Sequence, residues 1–563
     1  MDLPLDATHG ELSMNAARNI PRTWLVLPVA LFLAAFYVYP LWEVLSLGLG
    51  QAVKDVSTLA PLLSSYYPRV VFFTFWQAVI SSILTLGAAL PGAYVLARHD
   101  FAGKSLFETL VTIPFVLPTV VVAAAFRTLA DPDTLLGSLA SHLGIFTDGE
   151  QQGLYLILAA HVFFNFSLAL RIIGSFWARL HPAMTESARM AGATPWQAFR
   201  TVTLPLLSPA IAAAGLLVFI FCFSSFGVVL LLGGYRYSTL EVEIYRQAAH
   251  VFNLPLAAVL SIIQLLVTWG AMRVQSRFQE RCTRPLSPVT NIVPLTRAAR
   301  TPRLLARGYL TAVSLVLVAP LLSLALESLR PDQAWSLAAY AGLFENPRGS
   351  VFHVPPMAAM GNSLLYALAA TLMAVPLGLC AATFVHTRSR LARILDPLLM
   401  LPMTTSAVTL GFGFIIALDQ PPLHLRSSWV LVPIAHALVA FPFVLRTVLP
   451  ALSAVPAELR EAASTLGAGP WKVWASIDLP LLSRATLLGA LYSFVISLGE
   501  FGATIFIARP HTPTLPMAIY RNLSLPGSQN HAQAMASATL LMVLCALCFL
   551  MLERCKKRMW GDF

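Results

Sequence analysis

Residues 186–210 read ESARMAGATPWQAFRTVTLPLLSPA, and residues 461–485 read EAASTLGAGPWKVWASIDLPLLSRA. Further positions match at the same offset of 275, namely His161 with His436, Phe166 with Phe441, Arg171 with Arg446, Phe226-Gly227 with Phe501-Gly502, and Ile244-Tyr245-Arg246 with Ile519-Tyr520-Arg521. Matches at one constant offset over so long a stretch indicate a tandem duplication. The chain therefore contains two copies of one plan, and each copy includes one version of the opening stretch.

The composition places both copies in a membrane. Of the 563 residues, 57% are hydrophobic and 11% are charged, and the mean hydropathy is +0.73. A helix needs about 20 apolar residues to cross a bilayer, and about twelve such runs are present. Their cores lie at 24–48, 70–97, 108–130, 154–177, 209–234, 254–274, 306–328, 359–385, 393–418, 429–452, 484–509 and 532–553. The sequence predicts an all-α polytopic membrane protein with about twelve transmembrane helices in two tandem six-helix halves.

Basic residues indicate which loops face the cytoplasm. The net charge is +11, and arginines cluster between the two halves and near both chain ends. Because Lys and Arg resist translocation, this pattern places both termini in the cytoplasm. The positive charge is then topological, with anionic membrane lipid rather than nucleic acid as its neighbour. Six spans is an even number, so both halves should have the same orientation, related by an axis along the membrane normal.

The expected division of the chain follows from this topology. It consists of a cytoplasmic N-terminal tail at 1–23, a first six-helix half at 24–275 with a cytoplasmic loop near 182–208, a basic linker at 276–305, a second half at 306–555 with a loop near 456–483, and a cytoplasmic tail at 556–563.

Each repeated stretch has the pattern of a short helix, a stop and a second, amphipathic helix. Pro182 stands early and Gly192 at the helix end in the first copy, and Pro456 and Gly467 take those places in the second. Apolar side chains then recur at helical spacing, and the Leu-Pro pairs at 204–205 and 479–480 are expected to end the second helix. A helix lying in the headgroup layer is an alternative, but it does not explain an acid, a small face and a glycine in both copies.

The repeated stretches resemble the EAA motif of permease subunits of bacterial ABC importers. That motif has Glu-Ala-Ala, a glycine four residues later and a following Leu-Pro. The matching positions are Glu186, Ser187, Ala188 and Gly192 in the first copy and Glu461, Ala462, Ala463 and Gly467 in the second. Ser187 departs from the pattern by a small-for-small change. The resemblance implies the type I ABC importer permease fold and, in each loop, a coupling helix that docks on a separate ATPase subunit.

The resemblance also implies the partners of the chain. A GKS tripeptide at 103–105 has Arg98 where a phosphate loop needs its first glycine, so we expect no cofactor on this chain and ATP-Mg on the partner. Two nearly equal loops suit a homodimeric ATPase, and the family receives its solute from a periplasmic binding protein at the bacterial inner membrane. Within the family that the chain resembles, fused permeases of this kind are found among the iron(III) and thiamine importers. Residues 159–173 and 221–248 look most like the thiamine group, with iron(III) as the second choice.

Three polar side chains are candidates for the translocation path. Glu500 is expected inside the eleventh span, where a carboxylate costs about 2.5–3.5 kcal/mol unless it faces a wet cavity or a partner. It aligns with Ser225 in the first half, and Asn165 lies in the fourth span. A carboxylate with a purely structural hydrogen-bonding role is the alternative for Glu500.

Pairs of histidines and arginines also fall within membrane spans. His161 and His436 could ligate a metal across the halves, but two ligands make a poor site. We therefore expect interhelical hydrogen bonds and no metal site. Arg171 and Arg446 are expected to extend toward the membrane surface and cap the fourth span of each half.

Two other classes of function stay open at this point. An ion-coupled secondary transporter also uses repeated halves, but it works without an ATPase and should show more intramembrane charge than Glu500. A membrane-embedded enzyme needs an acid, a base, a nucleophile or metal ligands at working spacing. The sequence shows no such cluster, so we expect no catalytic residues.

Overall fold

The computed structural model describes residues 24–54, 64–144, 151–234, 236–282, 293–297, 299–345, 354–419, 421 and 424–560. Within these ranges the regular structure is helical, apart from a two-residue parallel pairing of β1 (His99–Asp100) with β2 (Val293–Pro294). The predicted all-α fold is confirmed. The predicted tail at 1–23, residues 283–292 of the linker and the last residues, 561–563, lie outside the described part.

The helices are, in chain order, α1 (Val26–Gly50), α2 (Tyr66–Arg98), α3 (Lys104–Val116), α4 (Thr119–Ala130), α5 (Leu135–His142), α6 (Gln152–Ala178), α7 (Pro182–Met190), α8 (Pro195–Phe223), α9 (Gly227–Leu232), α10 (Leu240–Arg246), α11 (Leu254–Cys282), α12 (Arg300–Ser328), α13 (Ala338–Ala341), α14 (Pro356–His386), α15 (Arg390–Thr404), α16 (Ala407–Ala417), α17 (Leu431–Ala454), α18 (Ala457–Thr465), α19 (Trp471–Gly499), α20 (Thr504–Ile507), α21 (Leu515–Ser524) and α22 (Ser528–Trp560). Single 3-10 turns lie at Leu295–Arg297, Pro331–Gln333, Gly342–Phe344 and Leu425–Ser427. In the described chain, ten helices are long and apolar enough to cross a membrane, or up to twelve spans if two bent pairs count as one span each.

The bent pairs occupy the third and ninth predicted spans. α3 meets α4 at 105°, and α15 meets α16 at 93°, so each of these predicted spans is bent in the middle. Leu117 is extended, with ψ 142°, because the ring of Pro118 disfavours the helical conformation before it. In the other copy the extended residue is Thr405, and Ser406 then accepts a hydrogen bond from the Thr409 N–H at 3.1 Å, which caps α16.

α8 and α19 run from the repeated stretch into the span without a break. The Leu-Pro pairs were expected to end a separate helix, and this is wrong. A π turn stands directly before each pair, at Phe199–Thr203 and at Trp474–Asp478. A proline inside a helix lacks an N–H and crowds the carbonyl four residues earlier. Because the π turn widens the helix at that carbonyl, the proline is retained without ending the helix.

Contacts divide the chain into two compact units, and the first is centred on α17. This unit is formed by the chain up to Val44, by Met360–Arg509 and by the chain from Leu547 onward. α17 packs along α19 and against α15. Glycine allows the close approach of α14, since a Cβ added to Gly378 would lie 2.5 Å from the Cβ of Val444 in α17.

The second unit is centred on α2, α6 and α8. It is formed by Leu45–Ala359 and Pro510–Ala546. The three central helices pack on one another, and α12 packs on α2, α3 and α4. The Tyr309 hydroxyl of α12 donates a hydrogen bond to the Ala88 carbonyl of α2 at 2.6 Å.

The units do not coincide with the halves expected at 24–275 and 306–555. α1 comes from the first half of the sequence but belongs to the unit built mainly from the second half, and α12 shows the reverse. The offset of 275 therefore describes the repeat in sequence, whereas packing places most of α1 in the first unit and α12, α21 and most of α22 in the second.

Candidate functional site

The two loop helices, α7 and α18, are built alike. Pro182 is the first residue of α7, and Pro456 is the N-cap of α18, where a missing N–H costs nothing. Gly192 and Gly467 follow the helix ends with φ +93° and +83°, which is the left-handed region that glycine tolerates best. The predicted helix-stop design is confirmed in both copies.

The hydrogen bonds at the two helix ends are also the same. In α7 the Ala193 N–H donates to the Ala188 carbonyl at 3.1 Å, and in α18 the Ala468 N–H donates to the Ala463 carbonyl at 3.0 Å. This six-residue closure is the Schellman arrangement. The second alanine of each motif therefore contributes its carbonyl to the turn as well as a small side chain.

Both loop helices lie at the surface of their units, and neither contains a buried residue. Glu186 and Ser187 in the first copy, and Glu461 and Ala462 in the second, are exposed. Ala188 and Ala463 are half-buried beneath them. Large apolar side chains stand beside the acids, with Met190 91%, Leu466 88%, Trp196 67% and Trp471 70% exposed. These apolar side chains are therefore free to contact lipid or another protein.

A side-chain contact ties each loop helix to the π turn of the following span. In the first copy the hydroxyls of Thr185 and Thr203 lie 3.3 Å apart. At the equivalent positions of the second copy, the Arg460 Nε donates to the Asp478 carboxylate at 2.7 Å. The side chains of Arg460 and Asp478 are 14% and 3% exposed. We had not singled out this contact in the sequence, although the pairs match at the offset of 275.

Aromatic side chains hold the first loop against its unit. Phe199 stacks between Trp196 and Trp177, with ring centroids 5.6 Å and 6.2 Å away. At the end of α2, Arg98 donates to the Leu180 carbonyl at 2.9 Å, directly before α7. The loop helix is thus joined to both α2 and α6.

Glu500 lies directly after the long helix of the eleventh span. α19 ends at Gly499, and Glu500 follows it with an extended backbone, so the helix of this span breaks at Glu500. The Glu500 carboxylate accepts hydrogen bonds from the N–H groups of Ala503 and Thr504 at 2.8 Å and 3.1 Å, and also from the Thr504 hydroxyl. It lies 3.3 Å from His436 Nε2. These contacts cap α20.

The corresponding region of the first half has no carboxylate. Ser225 follows the end of α8 and is half-buried. Asn165 is buried and donates to the His161 carbonyl at 2.9 Å and to Cys222 Sγ at 3.4 Å. Both path candidates therefore flank the end of α8, but Asn165 is engaged in helix packing.

The histidines bond neighbouring helices, as expected. His161 Nδ1 lies 3.1 Å from the Ser81 hydroxyl, and His436 Nδ1 lies 2.7 Å from the Ser497 hydroxyl. In the described part of the chain, no group of three His, Cys, Asp or Glu side chains is placed to hold a metal ion.

The arginines of the fourth spans bond the adjacent helix. Arg171 donates to the Thr112 hydroxyl at 2.5 Å, and Arg446 lies 3.3 Å from the Asp396 carboxylate. Each arginine therefore also ties its span to a neighbouring helix, α3 for Arg171 and α15 for Arg446.

A second polar cluster surrounds α10, which lies outside the long spans. Glu243 is buried and accepts hydrogen bonds from the Tyr66 hydroxyl at 3.0 Å and from Gln247 Nε2 at 2.7 Å. Burial, followed by the proximity of Tyr520, raises the pKa of Tyr245, so its hydroxyl stays protonated. In the sequence, Tyr245 is matched with Tyr520 by the offset of 275.

Comparison with known proteins identifies the fold family. The model for the binding-protein-dependent transport system inner membrane component matches residues 89–284 and again residues 374–560. The chain belongs to this family. Each matched segment contains one loop helix. Members of this family are ABC importer permeases of the inner membrane, and so is this chain. It works with an ATPase and a periplasmic binding protein, and it is not itself an enzyme.

The permease is similar over nearly its whole length to curated relatives. The thiamine transport system permease protein ThiP of Escherichia coli is 26% identical over 548 residues, covering 95% of this chain and 96% of the relative. ThiP of Haemophilus influenzae is 25% identical over 529 residues, with 92% and 93% covered. A probable ABC transporter permease protein, y4fN of Sinorhizobium fredii, is 25% identical over 556 residues, with 94% of each chain covered.

Proposed function

We propose that this permease imports thiamine or its phosphates. The observation that carries the proposal is the similarity to proteins named as thiamine permeases, because it runs through both halves and through both loop helices. Iron(III) is the second candidate substrate. Among the described residues, no three His, Cys, Asp or Glu side chains are grouped to hold a metal ion, so they give iron(III) no support.

We propose that the loop helices are the points at which the ATPase acts. The matched geometry of the two loop helices supports this proposal. In both copies an exposed acid, Glu186 or Glu461, stands next to small residues and to exposed apolar side chains. Two nearly identical helices suit a homodimeric ATPase that carries ATP-Mg, and the chain itself would bind no cofactor. With this role we expect both loops, and with them both termini, in the cytoplasm.

Transport then follows an alternating-access cycle. Closure of the ATPase dimer pulls the two loop helices together. The contact of Thr185 with Thr203 transmits this movement to α8, and the contact of Arg460 with Asp478 transmits it to α19. For the path itself we keep Ser225 as the candidate contact, because it is half-buried and follows the end of α8. Glu500 and Asn165 are buried and hydrogen-bonded, which supports the structural alternative for both.

The substrate is tested by reconstituting the permease with its ATPase in lipid vesicles and adding purified binding proteins. Thiamine-loaded binding protein should stimulate ATP hydrolysis and load the vesicles with thiamine. Stimulation by an iron(III)-loaded protein, with none by the thiamine-loaded one, would assign the other substrate. Solute uptake driven by an ion gradient without ATP would point to a secondary transporter.

A further inference from the structure

The end of the linker between the repeats docks on the turn that follows α2. β2 (Val293–Pro294) pairs in parallel with β1 (His99–Asp100). Leu295, directly after β2, is 3% exposed, and the Arg303 guanidinium of α12 donates to the Thr296 carbonyl at 3.2 Å. All of these residues belong to the second compact unit, which also contains the first loop helix, α7. The linker is therefore attached to the same unit as the first loop.

A continuous series of ring contacts connects β1 with the first loop. The Tyr94 ring of α2 packs against His99 and against Trp177 of α6, with centroids 5.7 Å and 5.4 Å away. Trp177 contacts Phe199 at 6.2 Å, and Phe199 contacts Trp196 at 5.6 Å. Aromatic pairs at these separations attract each other. The series ends at Trp196, which is 67% exposed in the segment that packs on α7.

Polar contacts form a second connection between β1 and the first loop. Lys104 Nζ donates to the carbonyls of Leu96 and His99 at 2.9 Å and 3.2 Å, which closes the turn that contains β1. The neighbouring Arg98 donates to the Leu180 carbonyl at 2.9 Å, directly before α7. One aromatic and one polar route therefore join β1 to α7, and coupling between sites travels through contiguous contacts of this kind.

Docking of the linker is the weakest part of this arrangement. A short pairing of two strands is marginally stable on its own, and Pro294 has no N–H to donate to it. Burial of the Leu295 side chain therefore contributes substantially to holding β2 in place. A segment held by so few contacts opens more readily than the long spans. The docked and the released linker are thus two states of one segment.

We propose that the linker is a strap that positions the first loop helix for the ATPase. When the linker is docked, β2 holds β1, and the two routes hold α7 and Trp196 in the orientation that the ATPase binds. Release of the linker loosens that orientation. By linkage, ATPase bound to α7 stabilises the docked linker by the same free energy. The proposal rests on the proposed role of the loop helices. The second loop helix, α18, belongs to the other compact unit, so the strap acts on the first loop alone.

The first test measures amide hydrogen exchange of α7 and α18 in the full-length permease without any partner. Leu295→Asp puts a charge at a buried position and should release the linker. Thr296→Asp puts the same charge at the next position, which is exposed, and is the matched control. Exchange of α7 should rise about fivefold or more in Leu295→Asp and stay unchanged in Thr296→Asp, with α18 unchanged in both.

A second pair of variants tests the ring series, in which Tyr94 is a positioning residue. Tyr94 is 45% exposed, so its substitution leaves the protein folded even where Leu295→Asp does not. Tyr94→Leu removes both ring contacts and should speed exchange of α7 as Leu295→Asp does. Tyr94→Phe keeps both rings in contact and should behave as the wild type. Unchanged α7 exchange in Tyr94→Leu, or an equal rise in α7 and α18, would overturn the strap.

Affinity for the ATPase separates the strap from the proposed function. In lipid nanodiscs, the ATPase should bind Leu295→Asp and Tyr94→Leu about fivefold or more weakly than their controls, and it should slow exchange at residues 293–297 of the wild type. Protection of α7 by the ATPase without any slowing at 293–297 would also overturn the strap. Faster exchange of α7 in the variants, with unchanged affinity for the ATPase, would instead count against the proposed docking role of the loop helices.

Discussion

At the scale of single residues, each loop helix contacts the following π turn at the same position, but the two copies use different side chains. The first copy uses two threonine hydroxyls, Thr185 and Thr203, and the second uses an ion pair, Arg460 with Asp478. A hydrogen bond between neutral groups contributes about 1 kcal/mol, whereas removing one partner of a buried ion pair costs about 3 kcal/mol or more. The second loop therefore depends more strongly on its contact than the first.

Asp478→Ala should uncouple the second loop. It leaves the Arg460 guanidinium largely buried without its carboxylate, and the loop helix loses its connection to the π turn. We expect solute transported per ATP to fall severalfold, while Thr203→Ala changes it little. The double substitution Arg460→Thr with Asp478→Thr copies the first loop and should restore coupling. A wild-type transport ratio in Asp478→Ala would remove this contact from the transmission route.

Glu500→Gln distinguishes a helix cap from a solute contact. The amide cannot accept all the hydrogen bonds that the carboxylate now accepts at the start of α20, so the free energy of unfolding should fall by about 1–3 kcal/mol. The KM for the solute should stay within about twofold, since the carboxylate faces α20 and His436. A large increase in KM with unchanged thermal stability would return Glu500 to the translocation path. The same two measurements on Ser225→Ala, at the equivalent position of the first half, give the comparison with the residue that we keep as the candidate solute contact.

At the scale of the elements, glycine sets how closely α14 approaches α17. Gly378 faces Val444 with no room for a side chain, whereas Gly361 on the same helix has open space around it. Helix–helix association in membranes depends on such small residues, because lipid supplies no hydrophobic drive between helices.

Gly378→Ala and Gly361→Ala form a matched pair of substitutions. Alanine at 378 forces the helices apart and should destabilise the protein by about 1–3 kcal/mol. Alanine at 361 should be neutral or stabilising by up to about 1 kcal/mol, since it improves helix propensity. Thermal unfolding in detergent measures both. Equal effects of the two substitutions would contradict the close packing of α14 on α17.

The sequence predicted the elements more accurately than their ends. The apolar runs and the glycines at the helix ends could be identified from the sequence because each depends on a few neighbouring residues. The repeat could be identified because the two stretches match directly. The bend at Leu117 has a local signal in Pro118, which the hydropathy of the span does not show. The π turns before Pro205 and Pro480 were not readable, because a proline signals a helix break unless the preceding turn widens.

At the scale of the whole molecule, the chain is two repeats whose first helices are exchanged between two compact units. Hydropathy shows that a helix lies in the membrane but not which helices it contacts, so the exchange of α1 and α12 could not be predicted. The loop helices could be predicted residue by residue, since each contains its acid, small residues and glycine within a few positions.

The central claim is that a separate ATPase drives the permease through both loop helices. Its most direct test is uptake of radiolabelled thiamine by cells or vesicles carrying Glu186→Lys together with Glu461→Lys, with membrane insertion measured in parallel. Both acids are exposed, so charge reversal should leave insertion and thermal stability unchanged, while uptake falls to background and the ATPase no longer co-purifies. Asp133→Lys, the same change in another exposed loop, should transport normally. Wild-type uptake by the double variant, with the ATPase still bound, would contradict the claim.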